Sequence, residues 1–403
     1  VKKPLSFLLA IPLAAASLTV SKPEDVGLSS ERLQRINQLI QRRIDAGQLA
    51  GAVTIVARRG KVAHFEAQGV ADLESRRPMT KDSLFRIASM SKPVTGVAIM
   101  MLVEEGKVRL TDPVSRYIPE FRGMKVAVAQ PSTAPEVKFY TVPAEREITI
   151  RDLLIHTSGL ASGPMGTGEL AKFARKPNET LADYIPRLAA TPLEFQPGSR
   201  WLYSPGAAFD TLGRIVEITS GMNFDQFLKE RLFGPLEMKD IFFYAPPDKK
   251  PRQATIYQLR EGKLVKPEPN PGMGETYFSG AGGLISTAGD YLPLGLMLVN
   301  GGQLNGKRIL GPRTVDMMAS VHVPDTLPGR PKGEGFGLSM RVITDHAARV
   351  SALSDGSYGW SGAFGTIFWV DPKEKLVAVL MVQTSNNEVQ RDFEQAVMQA
   401  IID

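Results

Sequence analysis

The segments that read as strands are confined to the two ends of this chain, and that segregation constrains its fold more than any other feature. Residues 52–57 and 62–69 alternate as strands around Arg58-Arg59-Gly60, a hairpin signal. Residues 365–370 and 376–383 form a second hairpin around Asp371-Pro372-Lys373. A helix predicted over 28–46 carries Leu33, Ile36, Leu39, Ile40 and Ile44 at helical spacing, with Ser29 or Ser30 as N-cap. An amphipathic helix closes the chain over 388–402. Between the ends the pattern is helical: 92–105, stopped by Gly106, then 112–121, 150–155, 181–190, 206–220 and 224–232. Residues 130–143 read as a proline-bearing loop. Strands return from about 252, and 281–286 is a tight turn feeding a helix over 288–299.

The economical arrangement is an α+β fold, an α/β sandwich. Both termini build one antiparallel sheet flanked by the first and last helices, and a mainly helical lobe is inserted. Residues 23–88 and 252–403 form the sheet domain in this reading, and 89–251 the helical one. A cleft between two such lobes is a common ligand site.

Composition narrows the chemistry. The 403 residues include no cysteine, so thiol nucleophiles, disulfides and zinc–thiolate sites are excluded. His64, His156, His322 and His346 are scattered without ligand spacing, so no metal is expected. The net charge is +6, but Lys and Arg are dispersed, which describes a solvated surface and not a nucleic-acid footprint. Lys2 and Lys3 precede an apolar run over 5–16 ending in Ala14-Ala15-Ala16. Residues 1–22 therefore read as a signal peptide or an apolar N-terminal arm. A signal peptide would make the protein periplasmic or secreted; otherwise it is cytoplasmic. The run is too short for stable membrane insertion, and Pro12 interrupts it.

Ser89-Met90-Ser91-Lys92 is the single Ser-x-x-Lys in the sequence. At that spacing on a helix the hydroxyl and the amine share one face. Serine needs a base to become nucleophilic, and a desolvated lysine can lose its proton and serve as one. Two further segments join it. Tyr203 sits in Gly198-Ser199-Arg200-Trp201-Leu202-Tyr203-Ser204-Pro205, a loop before an apolar helix. Gly359-Trp360-Ser361-Gly362-Ala363-Phe364-Gly365 is glycine-dense, which lets backbone approach a ligand closely. No complete Gly-x-Ser-x-Gly occurs, so an α/β-hydrolase elbow is not supported. His156, in His156-Thr157-Ser158-Gly159, reads as a helix terminus and not as the base of a Ser–His pair.

With these three motifs in order, the chain resembles the serine β-lactamase and penicillin-recognising superfamily, and most of all its family VIII carboxylesterases, which are similar to class C β-lactamases. The resemblance runs from about Pro23 to the C-terminus. It implies Ser89 as acyl-accepting nucleophile, Lys92 and Tyr203 as its proton partners, and the backbone N–H groups of Ser89 and Ala363 as oxyanion hole. Trp360, Ser361 and Gly362 would contact substrate. Two departures from the family pattern matter. Pro205 stands where the Tyr-Ser/Ala-Asn motif has asparagine, and Trp360 stands where the Lys-Thr-Gly motif has its cation. An aromatic in place of a charge favours uncharged, apolar acyl groups. The expected function is therefore a cofactor-free serine carboxylesterase acting on small esters through an acyl-enzyme, with weak cephalosporin hydrolysis. Alternatives within the superfamily are an acyltransferase, a D-amino peptidase or a β-lactamase; outside catalysis, a penicillin-binding-like protein.

Overall fold

The computed structural model describes residues 18–131, 138–268 and 273–403; residues 1–17, the bulk of the expected signal peptide or N-terminal arm, lie outside the described residues. The elements that position the site are these. Helix α1 (Ser30–Asp45) starts at Ser29, whose hydroxyl accepts the Arg32 N–H. Strands β1 (Gly51–Arg58) and β2 (Lys61–Gly69) follow, joined by Arg59 and Gly60, both at positive φ. Helices α2 (Ser91–Glu104), α3 (Ile150–Leu154), α4 (Ala207–Ser220) and α5 (Ala288–Val299) occupy the middle. Strands β3 (Glu334–Phe336), β4 (Arg341–Ile343), β5 (Tyr358–Ser361), β6 (Ile367–Asp371) and β7 (Leu376–Met381) precede the last helix, α6 (Asn387–Met398).

The strands form one antiparallel sheet in the order β3-β4-β5-β6-β7-β1-β2. Its centre joins the two ends of the chain, with Val53 opposite Met381 and Arg58 opposite Leu376. β1, β6 and β7 are buried along their whole length, so both faces of the sheet are covered. The faces sort with period two. Ala52, Val56, Trp369, Ala378 and Leu380 pack under α1 and α6 with Ile36, Ile40 and Phe393. Val53, Ile55, Phe368, Val377 and Val379 face the other way, toward α5 and α2. Trp369 meets Phe393 edge-on at 5.4 Å, and Tyr291 of α5 meets Phe368 at 4.9 Å. The expected sandwich of a two-ended antiparallel sheet is what these residues build.

α2 is apolar on every side and every residue from Ser91 to Leu102 is buried. A helix with no polar face has to lie inside the body. That requirement carries the Ser-x-x-Lys segment, at its N-terminal end, to the junction of the sheet and the helical middle.

Local expectations differ in three places. Residues 112–121 form two 3₁₀ turns, Val114–Arg116 and Pro119–Phe121, because Pro119 forces Ile118 into an extended conformation. Part of the expected 130–143 loop, Phe139–Pro143, is a strand paired with Lys125–Ala129; residues 132–137 lie outside the described residues. The helix expected over 181–190 is α-helical only over Leu181–Tyr184, and Pro186 then tightens it to 3₁₀.

Candidate active site

The chain enters α2 through a 3₁₀ turn at Ala88–Met90, with Ala88 at φ 44°. Ser89 is half-buried there and Lys92 is fully buried in the first turn of the helix. Lys92 Nζ donates to two carbonyls, Pro205 O and Ala281 O, each at 2.8 Å, and lies 3.2 Å from Ser89 Oγ. The two carbonyls fix two of its N–H bonds. Its remaining tetrahedral position points at Ser89, and holds an N–H in the charged form or the lone pair in the neutral one. Burial pushes the Lys92 amine below the ordinary lysine value, while Tyr203 and Asp210 pull it back toward the charged form. The Tyr203 and Phe209 rings lie 4.9 and 5.5 Å from Nζ.

Tyr203 comes from the loop before α4. Its hydroxyl donates to Ser89 Oγ at 2.7 Å. Ser89 and Lys92 from one segment and Tyr203 from another thus meet at one oxygen.

The third motif arrives on β5. Trp360 packs at 5.7 Å from the Tyr203 ring and edge-on at 5.2 Å against Phe336. Gly362 is pressed against the backbone just before the serine: a Cβ there would sit 2.3 Å from Ile87 O and 2.3 Å from Thr366 Oγ1. Glycine is required by that approach alone. Ala363 follows, and its amide makes no backbone hydrogen bond among the described residues. Ser361 ends β5 opposite Ile367 and is not hydrogen-bonded to Ser89, Lys92 or Tyr203.

His156 does not reach Ser89. Its ring is buried among Trp201, Tyr203, Phe209 and Phe336, and its Nδ1 accepts the Ser204 N–H at 3.1 Å.

One contributor was missed by sequence reasoning. Asp210, in the first turn of α4, is buried and accepts from Ser279 Oγ (2.6 Å), Tyr277 Oη (2.8 Å) and the Ala281 N–H (3.0 Å). It therefore anchors, through the Ala281 N–H, the residue whose carbonyl holds Lys92. Burial raises its carboxyl, against the pull of those donors and of Lys92. Acids are ordinary in first turns because they complement the helix dipole, so nothing in the sequence separates Asp210 from a solvated one. Its apolar neighbours Phe209 and Leu212 were the available signal. Among the described residues no cluster of three or more His, Asp or Glu could hold a metal ion. No helix among them is long and apolar enough to cross a membrane.

The sequence model of the beta-lactamase family matches residues 36–401. The chain belongs to that family. Among its relatives, Protein Rv1367c of Mycobacterium tuberculosis is 39% identical over 357 residues, covering 84% of this chain and 87% of the relative. Esterase EstB of Burkholderia gladioli is 31% identical over 380 residues, covering 87% and 90%. The solved structure of EstCE1, described as a hydrolase with promiscuous acyltransferase activity, superposes with a TM-score of 0.77 at 27% identity, covering 91% of this chain and 99% of that one. The fold is that of β-lactamases and transpeptidases, and the chain is a serine hydrolase of the superfamily with family VIII esterase-like relatives.

Proposed function

We propose that the protein is a carboxylesterase that hydrolyses small, uncharged esters through an acyl-enzyme on Ser89. The observation that carries the reading is the convergence of Tyr203 Oη and Lys92 Nζ on Ser89 Oγ, at 2.7 and 3.2 Å.

With Lys92 neutral, its lone pair takes the Ser89 proton as Oγ bonds to the ester carbonyl carbon. The carbonyl oxygen gains charge and is met by the N–H groups of Ser89 and Ala363. The intermediate collapses, the bond to the alcohol oxygen breaks, and the proton passes from Lys92 through Tyr203 Oη to the departing alkoxide. Water then attacks the acyl-serine, giving its proton to the same pair, and the carboxylic acid leaves as Ser89 regains its proton.

Trp360 supports the choice of ester. It lies against Tyr203 and offers an apolar ring where β-lactam and peptide chemistry calls for a cation. Esterase EstB supports the same class by relationship. Transfer of the acyl group to an alcohol in place of water is a second outcome of the same intermediate, favoured by the likeness to EstCE1.

A panel of p-nitrophenyl esters and one chromogenic cephalosporin, assayed on wild type and Ser89→Ala, tests the proposal. Ester turnover should dominate and vanish in the variant. Cephalosporin turnover without esterase activity would overturn the choice of substrate class.

A further inference from the structure

Tyr203 is held by its two neighbours in the chain, and both are held by His156. The Leu202 N–H donates to His156 O at 3.1 Å, and the Ser204 N–H donates to His156 Nδ1 at 3.1 Å. Backbone and side chain of one residue thus bracket the tyrosine on either side. The imidazole also packs on the phenol itself, with ring centroids 4.7 Å apart. Two costs accompany this placement. His156 is at φ 59°, a left-handed conformation that side chains avoid. Because Nδ1 accepts, the proton of the neutral ring is on Nε2, and that buried nitrogen has no hydrogen-bond partner among the described residues. A residue needed only to fill space among four aromatic rings would be better as phenylalanine, with no buried N–H to leave unsatisfied. The nitrogen that justifies histidine is Nδ1.

We infer that His156 is a positioning residue for catalysis, whose Nδ1 and carbonyl fix the Tyr203 hydroxyl on Ser89 without taking part in the proton transfers. The inference rests on the reading of Tyr203 given above. The role requires a neutral ring, since an imidazolium has no acceptor at Nδ1. The surroundings impose that state. Burial first, and then Lys92 when it is charged and the Arg330 cation, hold the imidazole well below its ordinary value, and its remaining neighbours are the rings of Trp201, Tyr203, Phe209 and Phe336.

Two substitutions separate the acceptor from the bulk. His156→Phe keeps a ring and removes the acceptor. His156→Asn loses the ring but can place its side-chain oxygen near the Nδ1 position, and asparagine tolerates positive φ. On p-nitrophenyl butyrate, His156→Phe should lower kcat by roughly 30- to 100-fold with KM within about threefold, as expected when a reacting group is misplaced by about 1 Å. His156→Asn should recover most of that loss. Melting curves establish that both variants fold. Tyr203→Phe and Ser89→Ala are run beside them. If these two are inactive while His156→Phe stays within about threefold of wild type, or His156→Asn is no better than His156→Phe, the inference is wrong and the mechanism stands. If Tyr203→Phe keeps wild-type kcat, the reading of Tyr203 fails and the inference with it. Should His156→Phe not fold, the wild-type protein decides. Long-range ¹H–¹⁵N spectra should show His156 with a bare, accepting Nδ1 and no titration around the ordinary histidine value of 6.5. A protonated Nδ1, or titration near the ordinary histidine value, overturns it.

Discussion

Gly362→Ala is the substitution whose consequence follows most directly from distances. The added Cβ would lie 2.3 Å from Ile87 O and 2.3 Å from Thr366 Oγ1. Such contacts begin at roughly 3.2 Å, so about 0.9 Å of separation has to open. The threonine hydroxyl can rotate away, but Ile87 O is backbone and cannot. Ile87 stands two residues before Ser89, and Gly362 immediately before Ala363. The displacement therefore widens the gap between the two amides proposed to receive the oxyanion. A donor misplaced by about 1 Å costs on the order of 10²-fold in rate, equivalent to about 2.7 kcal/mol of transition-state stabilisation. Overpacking of this kind adds about 1–3 kcal/mol of lost stability. The assay is steady-state hydrolysis of p-nitrophenyl butyrate with a melting curve on the same sample. kcat should fall about 10²-fold and KM should change little, because the lost interaction strengthens only as charge develops. Gly168→Ala is the control: that Cβ meets nothing within 4 Å, and both kcat and fold should be kept. A folded Gly362→Ala with kcat within about twofold of wild type would refute the argument.

Three further outcomes are expected. Because burial lowers the Lys92 amine, log kcat/KM should rise with pH along a limb whose midpoint lies below the 10.5 of an ordinary lysine, and a midpoint at 10.5 or above would contradict a desolvated base. Trp360→Lys should cut turnover of neutral p-nitrophenyl esters by roughly tenfold while raising the relative kcat/KM for an ester whose acyl group carries a carboxylate; equal losses on both would dissociate Trp360 from acyl selection. His64, buried on β2 and bonded to Thr54 at 2.8 Å, has its pKa pushed down to about 4 from 6.5, chiefly by burial. Below pH 6.5 the unfolded chain takes up a proton that the folded one refuses, so stability is lost as pH falls from 6.5 toward 4, by about 3 kcal/mol. Urea unfolding of His64→Gln should show a shallower loss over that window, and an unchanged slope would contradict the assignment.

The framework was legible because its signals are local. Arg59-Gly60 is a two-residue turn with both φ positive, Ser29 is an ordinary N-cap, and the apolar runs at 52–57 and 376–381 have to be buried on both faces. The site was legible for a different reason: Ser89 and Lys92 are a helical turn apart, and the motifs around Tyr203 and Gly362 are dense in turn residues. What escaped depends on contacts across the chain. Phe139–Pro143 is mostly exposed, so no alternation marks it as a strand. Strands β3 and β4, at one end of the sheet, are three residues each, too short to carry a period. Asp210 looks like any first-turn acid until Ser279, Tyr277 and Ala281 are folded around it. His156 reads as a helix terminus, and only the loop returning at Leu202 and Ser204 gives its ring a task.

The central claim is a covalent acyl group on Ser89, and rapid-quench intact-mass spectrometry tests it most directly. Wild type mixed with p-nitrophenyl butyrate and quenched in acid should gain the mass of one butyryl group, mapped by peptide sequencing to Ser89 and absent from Ser89→Ala. A butyryl group on any other residue, or a Ser89→Ala protein that still hydrolyses the ester at the wild-type rate, would contradict the account.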